Sequence, residues 1–251
     1  MEEELKKNSH LFGLIGKNIS YSFSKKYFNK KFEALSLEEY QYTNFDIPSI
    51  KYFTAIIQEY QNLKGLNVTI PYKEQIFPFL DVIEQEAFEI GAVNTIKIEN
   101  GKLKGYNTDF YGFLASIQPH IQPHHKKALI LGTGGASKAI VHAFKKLNIE
   151  CSLVSRTPRK GWFDYNDLNS AILKEHTIVV NCTPLGTHPK TAEKPAIPYN
   201  YITASHLLYD LIYNPTKTAF LKQGEERGAI ICNGLKMLEL QAEKAWELWN
   251  S

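Results

Sequence analysis

Lys127-Ala128-Leu129-Ile130-Leu131-Gly132-Thr133-Gly134-Gly135-Ala136-Ser137 is the stretch on which the fold turns. Its apolar residues follow one another without polar alternation, as in a strand covered on both faces. The glycines then break the strand at once, and residues 138–147 have helical spacing. A second strand is predicted over Glu150-Cys151-Ser152-Leu153-Val154. Strand, glycine turn, helix and strand in that order make the opening unit of a Rossmann-type dinucleotide-binding fold.

The turn carries its own chemistry. Gly132 lets the chain leave the strand sharply, and Gly134 lets a pyrophosphate approach the backbone. The following helix offers unpaired N–H groups and the positive end of its dipole to that anion. Gly132, Thr133, Gly134, Gly135 and Ala136 are therefore candidate cofactor contacts, with Ser137 at the third small position. The end of the second strand reports which cofactor. An acid there would bond a ribose 2′-hydroxyl, whereas a 2′-phosphate needs cations. The sequence is Ser155-Arg156-Thr157-Pro158-Arg159-Lys160, with no acid before Asp164. Arg156 can grip a phosphate with two N–H groups, Thr157 adds a hydroxyl, and Ser155 and Lys160 flank them. The expected cofactor is NADP rather than NAD.

Downstream, strands are predicted at 178–180 and 207–210, and an amphipathic helix over 237–249. Upstream, strands at 11–16, 40–45 and 66–71 alternate with helical patterns at 25–35 and 50–60. That alternation predicts an α/β fold with a mostly parallel sheet. Gln118-Pro119-His120-Ile121-Gln122-Pro123-His124-His125 reads as a boundary or a solvated connector; its histidines lack carboxylates or cysteines at metal-ligand spacing. No metal is expected. Three polar clusters stand near predicted element ends: Ser20-Tyr21-Ser22-Phe23-Ser24, Asn67 to Lys73, and Asn94-Thr95 with Asn107-Thr108-Asp109. Each residue also has an ordinary role open to it, as N-cap serine, turn asparagine or surface lysine.

The 251 residues include 43% hydrophobic and 22% charged side chains, which excludes a disordered tail or a disulfide scaffold. A net charge of +3, spread along the chain, argues against a nucleic-acid partner. Three cysteines without CxxC spacing read as buried thiols in a reducing compartment. Met1 to Lys7 is charged and unlike a signal peptide, and no apolar run is long enough to span a bilayer. A cytoplasmic protein without a membrane partner is expected.

With these residues in view, the chain resembles the shikimate dehydrogenase family along nearly its whole length. The resemblance is carried by Ser22-Phe23-Ser24, Asn67-Val68-Thr69-Ile70-Pro71-Tyr72-Lys73, Gly91-Ala92-Val93-Asn94-Thr95 and Gly105-Tyr106-Asn107-Thr108-Asp109. It continues through the glycine turn, Ser155-Arg156-Thr157, Asn181-Cys182-Thr183-Pro184-Leu185-Gly186, Asp210-Leu211-Ile212-Tyr213-Asn214-Pro215 and Asn233-Gly234-Leu235, with Met237, Leu238 and Gln241. It implies an α/β substrate domain over 1–112, completed by a returning helix at 236–251, and an NADP domain over 113–235. It implies reversible reduction of 3-dehydroshikimate to shikimate with NADPH, by a monomer or homodimer. Ser22 and Ser24 would hold the substrate carboxylate, and Thr69, Asn94, Tyr213 and Gln241 the ring substituents. Lys73 and Asp109 would flank the reacting oxygen. Thr183, Leu211 and Gly234 would join the cofactor contacts.

The sequence departs from the family pattern in places. Asn18 and Lys25 stand where prolines are usual, Thr187 where methionine is, Ser155 where asparagine is and Lys236 where glycine is. Gln85 stands where the family carries a cofactor-contacting acid and takes no role from it. Two alternatives remain open at this point: a relative acting on quinate, and a catalytically silent NADP-binding module.

Overall fold

The computed structural model describes residues 10–20 and 22–251; Met1 to Lys7 and Tyr21, read above, lie outside them. The chain divides into two units. One runs to Thr108 and takes back Ala242–Ser251, and the other holds Asp109–Gln241.

The first unit is built on β1 (His10–Gly16), α1 (Phe23–Ala34), β2 (Tyr40–Asp46), α2 (Phe53–Glu59), β3 (Leu63–Val68), β4 (Val82–Ile83), α3 (Gln85–Ile90), β5 (Thr95–Glu99) and β6 (Lys102–Tyr106). Its six-stranded sheet has the order β2-β1-β3-β5-β6-β4. β1 is parallel to β2 and β3, as the alternation of strands and helices predicts. The mostly parallel sheet has one exception, β5, because β4 and β6 again run parallel. β5 runs antiparallel to both β3 and β6. The cause is the turn Asn100-Gly101, whose φ values of 52° and 74° close a tight hairpin that leaves no room for a crossover helix.

The second unit is built on α4 (Asp109–Ile117), β7 (Lys127–Leu131), α5 (Gly135–Lys146), β8 (Glu150–Val154), α6 (Ser170–Glu175), β9 (Ile178–Asn181), β10 (Leu207–Asp210), α7 (Ala219–Glu225), β11 (Ile230–Cys232) and α8 (Leu235–Asn250). Its sheet has the order β11-β10-β9-β7-β8, and every pairing is parallel. Ala128 to Leu131 and Ile178 to Val180 are fully buried, with apolar clusters on both faces of the sheet. This is the doubly covered parallel architecture that the unbroken apolar runs demand.

α8 begins in the second unit and ends in the first, where Trp249 packs with Phe12, Phe28 and Tyr42. The Trp249 indole N–H donates to the Ile96 carbonyl at 2.9 Å, and Gly65 leaves the space its ring fills. The three cysteines are unpaired and half-buried, and burial pushes Cys151 up to about 12 and Cys232 up to about 11. Among the described residues, no helix is long and apolar enough to cross a membrane.

The 118–125 stretch is largely exposed, as a solvated connector would be, but is anchored at its end. It lies inside the second unit, and His125 is 2% exposed. His125 Nδ1 accepts the Gln122 N–H at 3.0 Å while Nε2 meets the Ser205 carbonyl at 3.2 Å. His206 is held the same way, Nδ1 accepting the Thr203 N–H and Nε2 facing the Leu173 carbonyl. In His176, Nδ1 faces the Ile172 carbonyl and Nε2 the Ser152 hydroxyl. His125 and His206 each need one protonated and one bare nitrogen, so protonation breaks a bond in both, whereas the Ser152 hydroxyl can meet either form of His176. Burial, first among the causes, lowers all three histidines.

A lowered histidine contributes stability that is complete above its ordinary pKa of ~6.5 and is lost as pH falls below it. The expected result is a melting temperature that falls more between pH 7.5 and pH 5.5 in the wild type than in His125→Asn, whose amide oxygen keeps the Gln122 bond without titrating. Equal slopes would remove His125 from this account.

Candidate active site

Both sheets end their parallel strands in the residues that the sequence singles out, as open α/β sheets do. In the first unit, the segment after β1 leads into α1. Ser22 caps α1, its Oγ accepting the Ser24 N–H at 3.2 Å. The loop before it is fixed from β2: the Asp46 carboxylate accepts the N–H groups of Asn18 and Ile19 at 2.8 and 3.0 Å. Asn44 Nδ2 donates to the Ile19 carbonyl at 3.1 Å. Asn18 has φ of 57° and a bonded N–H, both of which exclude the proline usual in the family.

The segment after β3 carries Thr69 and Lys73, both half-buried. Its backbone is pinned: the Thr69 N–H donates to Ile15 at 2.9 Å, and the Lys73 carbonyl accepts the Val93 N–H at 2.8 Å. The buried Tyr72 phenol donates to the Ile47 carbonyl at 2.6 Å.

Behind these residues runs a buried polar chain. The Tyr42 hydroxyl donates to Asn67 Oδ1 at 2.7 Å and also meets the Ser24 side chain. Asn67 Nδ2 donates to Thr95 Oγ1 at 3.2 Å. Asn94 donates from Nδ2 to Thr108 Oγ1 at 3.0 Å and accepts the Thr108 N–H at 2.6 Å. Asn94 therefore fixes the residue immediately before Asp109, which opens α4. Burial raises Tyr42 well above the ordinary tyrosine range, so its hydroxyl stays neutral and can donate. Sequence reasoning passed over Tyr42 and Asp46, which look like ordinary alternating residues of a strand.

In the second unit, Gly132 has φ of 97°, and a Cβ there would press on Thr183. Gly134 is the N-cap of α5 and offers no side-chain cap. A Cβ on Gly134 would meet no atom within 4 Å, so there is open space above the backbone. Thr133, Gly135 and Ala136 complete the turn, and Ser137 Oγ is tied back to the Gly134 carbonyl at 2.6 Å. After β8, the buried Ser155 accepts the Thr157 N–H at 3.2 Å and shapes the next turn. Arg156, Thr157 and Lys160 are exposed, while Arg159 lies over the Trp162 ring at 5.4 Å. Uncapped amides, open space and an exposed guanidinium after β8 fit a dinucleotide with a 2′-phosphate.

After β9, Thr183 is fixed by the Asn181 side chain, and after β10 come Leu211 and Tyr213, the latter 36% exposed. Gly234, after β11, lies so close to the Leu211 carbonyl that any Cβ would collide with backbone. Gly234→Ala is expected to destabilise the fold by about 1–3 kcal/mol, read as a lowered denaturant midpoint at unchanged slope. A midpoint within error of the wild type would contradict that close approach. Gln241 is buried, with Nε2 donating to the Leu238 carbonyl at 2.9 Å.

Known proteins share much of this sequence and its fold. A family model described as the shikimate dehydrogenase substrate binding domain matches residues 14–96. A curated shikimate dehydrogenase (NADP(+)) of Clostridium botulinum is 40% identical, over 94% of this chain and 95% of its own. The crystal structure of shikimate dehydrogenase from Aquifex aeolicus superposes with a TM-score of 0.86 at 34% identity, covering 96% of this chain and 92% of that one. The Thermus thermophilus enzyme, solved in complex with NADP(H) and shikimate, gives a TM-score of 0.84 at 30% identity, with 95% and 92% covered.

Proposed function

The chain belongs to the shikimate dehydrogenase family, and from that premise we propose that it catalyses the reversible reduction of 3-dehydroshikimate to shikimate with NADPH. The observation that carries this reading is the pairing of two intact residue sets. Lys73 and its backing network stand in the first unit, and the glycine turn with Arg156 stands in the second. The protein is an NADP-dependent oxidoreductase of aromatic amino acid biosynthesis.

NADPH, when bound, supplies the hydride. It is held through the first amides of α5 at Gly134, Gly135 and Ala136, with Gly132, Thr133, Thr183, Leu211 and Gly234 shaping the adjoining backbone. Arg156, Thr157, Ser155 and Lys160 receive the 2′-phosphate. Ser22 and Ser24 donate to the substrate carboxylate, and Thr69 and Asn94 bond ring hydroxyls, with further substrate contacts assigned to Tyr213 and Gln241. Hydride arrival at a carbonyl carbon leaves negative charge on its oxygen, which needs a proton donor within hydrogen-bond reach. Lys73 fills that role: its ammonium stabilises the charge and then gives up a proton. Asp109, a buried carboxylate, accepts a substrate hydroxyl. We assign the protein to the cytoplasm, as a monomer or homodimer.

The test is label transfer. Purified protein given 3-dehydroshikimate and NADPH deuterated at the transferring position should yield shikimate carrying one deuterium, read by mass spectrometry. Unlabelled or unconverted substrate would reject the assignment.

A further inference from the structure

Asp210 ends β10, is fully buried, and has no role in the reaction described above. Its carboxylate is surrounded by donors. Oδ1 accepts the Ile212 N–H at 3.0 Å and Asn181 Nδ2 at 3.1 Å, and Oδ2 accepts the Thr218 hydroxyl at 2.5 Å. Thr218 caps α7, so its oxygen takes the Leu221 N–H at 3.3 Å and its proton goes to Asp210. Asn181 turns its NH2 toward Asp210 and the Leu185 carbonyl, which leaves Oδ1 for Thr183. That oxygen accepts both the Thr183 N–H at 3.0 Å and the Thr183 hydroxyl at 2.7 Å. Thr183 Oγ1 in turn accepts the Leu185 N–H at 3.3 Å. In this arrangement Asp210 accepts at both carboxylate oxygens, with Ile212, Asn181 and Thr218 all donating to it.

Among the described residues, the groups facing Asp210 bring no compensating cation. They are Asn181 and the Cys182 thiol at the end of β9, Ile212 beyond β10, Thr218 at α7, and the Tyr199 phenol. Burial raises Cys182 and Tyr199, which keeps both neutral, and Arg227 acts on Tyr199. Burial also pushes Asp210 itself up to about 6, against the three hydrogen bonds that lower it. A proton on Oδ2 would reverse the Thr218 bond, and one on Oδ1 would displace Ile212 or Asn181. Once the Asn181 amide turns, Thr183 loses both of its bonds.

We propose that Asp210 is a positioning residue for the cofactor: acting through Asn181 it holds Thr183, and only its ionised form sets the loop that receives NADP(H). The proposal rests on the reading of Thr183 as a cofactor contact. It adds a residue that touches no ligand, and it ties cofactor affinity to the protonation of a side chain outside the binding surface.

The test is calorimetric titration of the folded wild type and Asp210→Asn with NADP+ from pH 8 to pH 5. The 2′-phosphate titrates near pH ~6 in both proteins, so the ratio of their dissociation constants isolates Asp210. At pH 8 the variant should bind about tenfold more weakly, and by pH 5 the two affinities should converge as the wild type takes up its proton. A ratio that stays constant with pH, or equal affinities at pH 8, would overturn the proposal. Thr183→Val serves where Asp210→Asn does not fold. With the chain cut at its far end, NADP+ binding should weaken at pH 8 and the steeper wild-type pH dependence should disappear. Weakened binding with the full pH dependence retained overturns the Asp210 proposal alone. Unchanged binding at pH 8 overturns it together with the Thr183 assignment beneath it.

Discussion

Replacing Lys73 by alanine is expected to lower kcat by ~10²–10⁴-fold while leaving the dissociation constant for NADP unchanged. The argument begins with what hydride transfer demands. A carbonyl oxygen that gains charge in a partly dehydrated site needs a positioned cation and then a proton, and a lysine ammonium supplies both. The backbone on which Lys73 stands is fixed. Its carbonyl is bonded to Val93, and the neighbouring Tyr72 is anchored to Ile47. Lys73→Arg separates the two contributions, because a guanidinium keeps the charge but does not release its proton. Its kcat is expected to remain near that of the alanine variant. Recovery to wild-type turnover with arginine would show that charge alone suffices. A rate unaffected by Lys73→Ala would remove the residue from the chemistry.

Replacing Arg156 by alanine is expected to weaken NADP by about ten- to a hundredfold, the worth of a charge-assisted pair, with NAD changed little. The guanidinium is exposed, at the end of the strand where this fold distinguishes the two cofactors. The turn it stands on is held by the Ser155 hydroxyl rather than by Arg156, so the alanine variant keeps its backbone. Equal losses for NADP and NAD, measured by titration of each, would show a structural role instead. Because exposed charges are screened, the NADP preference of the wild type should shrink as salt is raised.

Some of this molecule was legible in the residues themselves. Ala128 to Leu131 reads as a strand covered on both sides because glycines end it at once, and the structure buries all four residues. The pairing of Thr95–Glu99 with Lys102–Tyr106 was missed, although Asn100-Gly101 between two alternating runs is a strong short-range hairpin signal. Other features have no local signature. Tyr42, Asn67 and Asp46 support the serine loop only because β2, β1 and β3 lie side by side. His125, expected in a solvated connector, is buried because its two nitrogens find complementary partners at Gln122 and Ser205, the latter eighty residues away. The cofactor turn could be read because its chemistry depends on backbone and glycine. The shape of the substrate site depends on long-range hydrogen bonds, which spacing does not encode.

The central claim is that this chain oxidises shikimate with NADP, and the most direct test follows nicotinamide absorbance with shikimate or quinate, each paired with NADP or NAD. Rapid reduction of NADP by shikimate, with the other three pairs slow, is the predicted result. Turnover mainly with quinate or with NAD, or silence in all four pairs despite NADP binding, would contradict it.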